Sequence, residues 1–301
     1  MHKQALIVFF LVFLAGTSFA QGGKVTSDSI PFAPAINYSV GGHPQSVFCA
    51  DLDGDGDLDL AVADYSDTSV SILKNNGDGT FQTPVNYVVG TGKHHYSVFC
   101  ADLDGDKYLD LAVTNYDYNG SVSILKNNGN GTFQSAVNYG AGAYPRSVFC
   151  ADLDGDKYLD LAVANGDGHV SVLKNNGNGT FQTPVSYGAG TSPNSVFCAD
   201  LDGDGDLDLA VANMLGSVSV LKNNGDGTFQ AAVNYDVVTP HSVFCADLDG
   251  DTALDLVLPN SSAKSVSVLK NNGNGTFQTP GQLWCLREPL LGFLCGFRRR
   301  W

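Results

Sequence analysis

Glutamate is almost missing from this chain: of its 31 acidic residues only Glu288 is a glutamate, and the other 30 are aspartates. With so little Glu, two methionines and 35 glycines, the chain is poor in helix formers and rich in turn formers, which argues against a helical bundle. Basic residues are also few, 16 in all, and a formal charge of -15 argues against a nucleic-acid partner held by phosphate contacts. Long apolar runs are lacking too. The one run, Ala5 to Gly16, has 12 residues, too few to span a bilayer, so no membrane span is expected in the mature chain. His2 and Lys3 before the run and Ser18-Phe19-Ala20 after it lay out a signal peptide over 1–20, cleaved near Ala20. That predicts a protein secreted or held at the cell surface, with residues 21–31 as a linker. What the chain does have, 43% hydrophobic and 10% aromatic residues, is enough to build a core.

The chain repeats itself. S-V-F-C-A-D-L-D-G-D starts at Ser46, Ser97, Ser147, Ser195 and Ser242, spacings of 51, 50, 48 and 47 residues. Each copy continues through L-D-L to (S/H)-V-S-(I/V)-L-K-N-N-G-(D/N)-G-T-F-Q, and the first four end in V-(N/S)-Y. The repeats run over 46–87, 97–139, 147–187, 195–235 and 242–280. Short runs rich in Val, Ile, Phe and Tyr between Asp, Asn and Gly clusters predict four strands per copy, the last from Thr80 to Tyr87 in the first. Asn76-Gly77-Asp78-Gly79 supplies the tight turn before it. Four strands per 50 residues predict an all-β fold, a β-propeller of four-stranded blades, with a stacked-strand solenoid as the other reading.

The ends carry two further expectations. Phe32 to Tyr38 matches the fourth strand of a copy, as in Phe81 to Tyr87, and could close the ring by completing the last blade. After Pro280 the pattern stops, and the last 21 residues hold both tryptophans, the single glutamate and four of the five arginines. A codon set can be chosen for 281–301 whose next frame reads V-N-Y-G-A-C-G-S-P-Y-S-V-F-C-A-D-F-D-G-D, the start of a sixth copy. Residues 281–301 are therefore read as a frameshifted tail, and the five copies as cut from a longer repeat protein; a basic anchoring tail is the alternative.

The chemistry lies in five nine-residue loops of form D-x-D-G-D-x-x-x-D, which hold 22 of the 30 aspartates. So many carboxylates in so short a span repel one another unless a cation compensates, and hard oxygen donors in a flexible loop suit calcium better than magnesium. Solvated acidic turns that bind nothing are the alternative. An EF-hand would need a Glu at position 12 and flanking helices, but position 12 is Val62 and the flanks read as strands.

The run Asp51 to Ala63, followed by S-V-S-I-L-K-N-N-G-D-G-T-F, resembles the FG-GAP/VCBS repeats of the integrin α-subunit propeller type. The resemblance covers Phe32 to Pro280. It implies a propeller, commonly seven-bladed, with about five structural Ca²⁺ between first and second strands, used in adhesion or ligand binding. Carried over by position, the ligands are Asp51, Asp53, Asp55 and Asp59, then Asp102, Asp104, Asp106 and Asp110, and Asp152, Asp154, Asp156 and Asp160. The last two sets are Asp200, Asp202, Asp204 and Asp208, and Asp247, Asp249, Asp251 and Asp255. Gly56 and Gly205 at position 6 are replaced elsewhere by Lys107, Lys157 and Thr252, which puts the turn of the fifth loop in doubt.

Other residues read more plainly. Cys49, Cys100, Cys150, Cys198 and Cys245 recur at one place in each copy and are expected to be small buried side chains, not disulfide partners. Asn130, Asn178 and Asn274 precede Gly-Thr, but Asp78 and Asp226 replace them in other copies, which fits a turn residue and not a glycan acceptor. The histidines sit at mostly non-equivalent positions and the aspartates are committed to the loops, so no catalytic constellation emerges. The expectation is a non-catalytic recognition or adhesion scaffold for an extracellular protein or glycan, with a lectin-like binder, and then a polysaccharide hydrolase or lyase, as rivals. Variable connections carry ligand contacts on repeated scaffolds, which singles out Tyr116, Tyr118, Tyr144 and His95.

Overall fold

The computed structural model describes residues 34–90, 94–279 and the backbone of 281–284. The chain divides into two compact units, Met1–Asn37 and Tyr38–Trp301, and every described strand belongs to the second. The signal peptide, the linker and residues 285–301 lie outside the described residues.

Among the described residues twenty strands form five separate four-stranded antiparallel sheets, each in simple sequential order. The first holds β1 (Pro44–Ala50), β2 (Asp59–Asp64), β3 (Ser69–Leu73) and β4 (Val85–Val88); the second β5 (His95–Ala101), β6 (Asp110–Asn115), β7 (Gly120–Leu125) and β8 (Val137–Gly142). The third holds β9 (Pro145–Ala151), β10 (Asp160–Asn165), β11 (His169–Leu173) and β12 (Val185–Gly188). The fourth holds β13 (Pro193–Ala199), β14 (Asp208–Asn213), β15 (Ser217–Leu221) and β16 (Val233–Asp236), and the fifth β17 (Phe244–Ala246), β18 (Asp255–Asn260), β19 (Ser265–Leu269) and β20 (Gly281–Trp284). These are the all-β propeller blades that the repeat predicts.

The fourth strand is shorter than the sequence suggests. Asn75 bridges Phe81, and Asn76 N–H donates to the Thr80 carbonyl at 2.8 Å, closing the turn in which Gly77 and Gly79 have φ of 85° and 80°. The ladder then resumes only at Val85, opposite Ile72. The fifth blade differs more. Its outer edge is paired by Gly281–Trp284, with Ser265 opposite Trp284, and not by Phe32 to Tyr38; of that segment, Pro34 to Tyr38 form no strand and the rest is not described. An open edge offers backbone N–H and C=O groups to any extended segment, so V-N-Y side chains are not required for the pairing.

Blades pack face to face, and each packed face has a fixed chemistry. Ala61, Ala63, Val70 and Ile72 of the first blade bury against Val98, Cys100, Leu111 and Val113 of the second. Ala112, Val122 and Ile124 meet Val148, Cys150, Leu161 and Val163 in the same way, and the next two joints repeat it. Phe48, Phe99, Phe149, Phe197 and Phe244 form a continuous inner row, with neighbouring ring centroids 4.8 to 5.1 Å apart. The cysteines follow the expectation at Cys100, Cys150, Cys198 and Cys245, which are buried free thiols, but Cys49 is exposed because its face of the first blade has no described neighbour.

Candidate metal centres

Each acidic loop joins the first strand of a blade to the second, and the strands hold its ends at a fixed separation. Asp51 at position 1 caps the loop, its Oδ1 accepting from Gly54 N–H at 2.8 Å and its Oδ2 from Gly56 N–H at 3.0 Å. Lys107, Lys157 and Thr252 stand where Gly56 does and adopt the same left-handed turn, with φ of 76°, 77° and 75°. Their amides donate to the position 1 carboxylate at 3.0 Å as well, so the turn of the fifth loop matches the others despite its Thr.

Carboxylate oxygens of positions 1, 3 and 9 converge within 4.8 Å in four loops: Asp51, Asp53 and Asp59; Asp102, Asp104 and Asp110; Asp152, Asp154 and Asp160; Asp200, Asp202 and Asp208. Position 5 stands apart from these groups. Asp55, Asp106, Asp156 and Asp204 each accept the amide of the residue two places on, at 2.8 to 2.9 Å. The fifth loop gathers Asp247, Asp249 and Asp251, all exposed, while its position 9 residue, Asp255, is buried outside the group.

The position 9 carboxylates are fully buried at the start of the second strand. Burial, reinforced by the neighbouring loop aspartates, pushes Asp110 and Asp160 up to about 7 and Asp208 to about 6, and it raises Asp59 as well. Backbone amides oppose this: Asp110 accepts from Asn127 N–H at 2.8 Å and from Leu103 N–H at 3.2 Å. The donors are all hard oxygens, and Asp53 Oδ1 and Asp202 Oδ1 are buried with no hydrogen-bond partner, so the groups fit a hard divalent cation. These carboxylates would hold it, and its charge would offset their crowding.

Two residues of the repeated K-N-N run, not singled out from the sequence, tie the loops into the joints. Lys74 Nζ lies 3.1 Å from Asp53 Oδ2 and donates to the Asn130 carbonyl of the next blade at 2.6 Å. Lys126, Lys174 and Lys222 do the same at the next joints, onto the carbonyls of Asn178, Asp226 and Asn274. Asn127 Nδ2 donates to Leu109 O in its own loop and to Leu52 O in the preceding one, at 3.0 and 2.8 Å. Their appearance in every copy, on neither apolar face, was the available signal. The Asn130 side chain accepts from Thr132 at its turn just as Asp78 does from Thr80, which accounts for their exchange.

The opposite end of the blades, where second strands finish and first strands begin, carries an aromatic row. Tyr65 stacks near His94 and Tyr96, Tyr96 near Tyr116, and Tyr116 near Tyr144, with centroids 4.4 to 5.1 Å apart. Arg146 lies 5.7 Å from the Tyr116 centroid, and Tyr118 and Tyr144 are exposed. Of the four residues chosen from the sequence, the three tyrosines gather here but His95 does not face the surface. It is fully buried, because it takes the strand-start place that Pro44, Pro145, Pro193 and Pro240 hold in the other blades, and burial lowers its pKa. An open groove of about 410 Å³ also lies between the outer strands of the first two blades, lined in part by Asn86, Tyr87, Gln134 and Asn138.

The chain is similar to several proteins of known structure. A lectin of Agrocybe aegerita, described as recognising non-reducing terminal N-acetylglucosamine, is similar over 78% of this chain at 27% identity and a TM-score of 0.56; the chain spans 65% of that lectin. A Photorhabdus luminescens Tc holotoxin pore matches over 83% of this chain and 12% of its own at 19% identity and a TM-score of 0.41. BBS1N, solved with ARL6DN, matches over 85% of this chain and 87% of its own at 18% identity and a TM-score of 0.46. Among curated proteins none matches. The FG-GAP-like repeat family matches at 51–113, 102–163, 152–211 and 200–258, which together cover more than half of the chain, and this protein belongs to that family.

Proposed function

We propose that this chain is an extracellular, calcium-stabilised recognition scaffold without catalytic activity. The observation that supports it most is the convergence of carboxylate oxygens in every loop, at the end of the blades opposite the aromatic row. Calcium in these loops would be structural: it would neutralise buried carboxylates that also hold the joints, leaving the variable connections at the other end free to meet a ligand. Ligands that bind only the folded state raise its stability by mass action, so unfolding in calcium and in chelator tests the metal part of this reading. Turnover assays on polysaccharides test the other part, and activity lost on replacing an acid outside the loops would make it an enzyme.

A glycan is the second reading, favoured by the similarity to the N-acetylglucosamine-binding lectin and by exposed Tyr118 and Tyr144, since flat aromatic faces stack on sugar rings. Titration of the calcium-loaded protein with N-acetylglucosamine and its oligomers tests it. No saturable signal, or a signal unchanged by Tyr116→Ala and Tyr144→Ala, favours a protein ligand.

A further inference from the structure

Among the described residues Arg146 is the one arginine, and it takes part in none of their ion pairs. In a chain of formal charge -15 that is an exception, since Lys74, Lys126, Lys174, Lys222 and Lys270 each meet a loop aspartate. Asp117 and Asp167, which follow Tyr116 and Gly166 in the chain, are engaged elsewhere. Asp117 Oδ1 accepts from Tyr118 N–H at 2.6 Å, and Asp167 Oδ1 lies 3.2 Å from His169 Nδ1. Nor does the repeat call for an arginine, because Gln45, Tyr96, Asn194 and His241 hold its place in the other copies.

The guanidinium is nonetheless held in position across three blades. Nη1 donates to Ser192 Oγ at 2.8 Å and lies 3.4 Å from Met214 Sδ, both of the fourth blade, while Cζ stands over the Tyr116 ring of the second. Gly166 leaves room for it. A Cβ there would come within 3.3 Å of Cζ and Nε, and the residues at this place in the other copies, Tyr65, Tyr116, Met214 and Ser261, all carry one. Tyr144 and Ser192 reach the site from left-handed backbone, with φ of 60° and 61°. The amides of Gly166 and Met214 fix them there by donating to the Tyr144 and Ser192 carbonyls at 2.8 and 2.9 Å.

Ser192 and Met214 both take Nη1, so the edge formed by Nε and Nη2 has no acceptor among the described residues, and the side chain is only half-buried. A planar fork anchored at one corner and open along one edge suits two parallel hydrogen bonds to a carboxylate. Beside it Tyr144 and Tyr118 are exposed, their centroids 6.2 Å apart. The acidic loops lie at the opposite end of the blades, away from an arriving anion.

We infer that this corner of the aromatic row is a single subsite for a saccharide that carries a carboxylate, of the uronic acid class. Arg146 takes the carboxylate, and Tyr118 and Tyr144 take the sugar rings. An acidic peptide offers the same carboxylate without a ring to stack. The inference rests on the glycan reading above and deepens it, since the arginine selects which glycan is bound.

The test is titration calorimetry, in calcium, of the chain lacking residues 1–20. The probes are a hyaluronan tetrasaccharide, the same tetrasaccharide with its carboxyls methyl-esterified, chitotetraose, and a tetra-aspartate peptide. The expected result is one site per chain that prefers the free acid to its ester by about tenfold, a preference that weakens as salt rises. Arg146→Gln, which installs the residue that the first blade carries as Gln45, should abolish the preference and leave the thermal midpoint in place. Arg146→Lys, which keeps the charge and loses the fork, should retain only part of it. Equal binding of acid, ester and chitotetraose would overturn the inference and leave the glycan reading standing, as would a preference that survives Arg146→Gln or several equivalent acid-preferring sites. No signal from any saccharide, with or without binding of the peptide, would overturn both.

Discussion

Asn127 Nδ2 donates to the carbonyl of Leu52, 75 residues earlier and in the neighbouring blade, at 2.8 Å. The same asparagine's N–H holds the buried Asp110 carboxylate and its Oδ1 accepts from Gly129, so one side chain and its backbone join two acidic loops and a turn. Asn175, Asn223 and Asn271 repeat the contact onto Leu103, Leu153 and Leu201. Asn75 in the first blade bonds only its own loop, at Leu58 O, through that amide.

The pair gives a first prediction. Asn127→Ala strands two carbonyls, one of them in a buried contact, and should cost about 2 to 3 kcal/mol in denaturant unfolding. Asn75→Ala also frees turn amides, as Asn127→Ala does, but strands only one, exposed carbonyl, and should cost about 1 kcal/mol less than Asn127→Ala. Equal losses would mean that the contact across the joint contributes nothing.

Left-handed turns give a second. Thr252, Lys157 and Lys107 hold φ near 76° where Gly56 and Gly205 sit in other loops. Thr252→Gly should therefore stabilise the protein by about 1 kcal/mol, less what glycine costs in the unfolded chain, and Gly205→Thr should destabilise it by a similar amount. Matched urea midpoints for both variants check the sign.

Buried carboxylates give a third, in pH. Asp110, Asp160 and Asp208 keep their protons to about 7, 7 and 6 in the folded chain, against about 3.9 unfolded. Between those values the folded state binds more protons, so in chelator these groups lower stability as pH rises from about 4 to 7. Calcium, which selects the ionised carboxylates, should cancel most of that fall, leaving stability nearly flat over the same window, and should release protons on binding. Asp160→Asn should flatten part of the chelator profile and weaken the calcium response. An identical pH profile with and without calcium would contradict the coupling.

Thiol exposure gives a fourth. Cys49 should react with a thiol reagent in the native state, whereas Cys100, Cys150, Cys198 and Cys245, buried and with thiols pushed up by that burial, should react only on unfolding. Labelling followed by peptide mass analysis separates the five.

The blades were legible in the sequence because the copies align on themselves: a strand that is apolar on both faces, as in L-A-V-A, recurs at a fixed distance from D-x-D-G-D. Which aspartates converge was less so. Position 5 and position 9 are both aspartate in every loop, and only the folded turn shows Asp55 taking the Asp57 amide while Asp59 is drawn in by Leu52 and Asn75. Lys74 needed the joint itself, since its carbonyl partner Asn130 is 56 residues away. His95 could have been placed from the prolines at the same point of the other four copies. The pairing of Gly281–Trp284 was hidden because an edge strand is recruited through its backbone, which residue types do not advertise.

The most direct test of the account is thermal unfolding of the chain lacking residues 1–20 in millimolar calcium and again in chelator. Five groups that bind calcium only when folded should each add about 2.7 kcal/mol at a hundredfold excess over the dissociation constant, so the cooperative transition should move up markedly in calcium. One transition at the same temperature in both buffers would contradict the assignment of these loops as calcium sites.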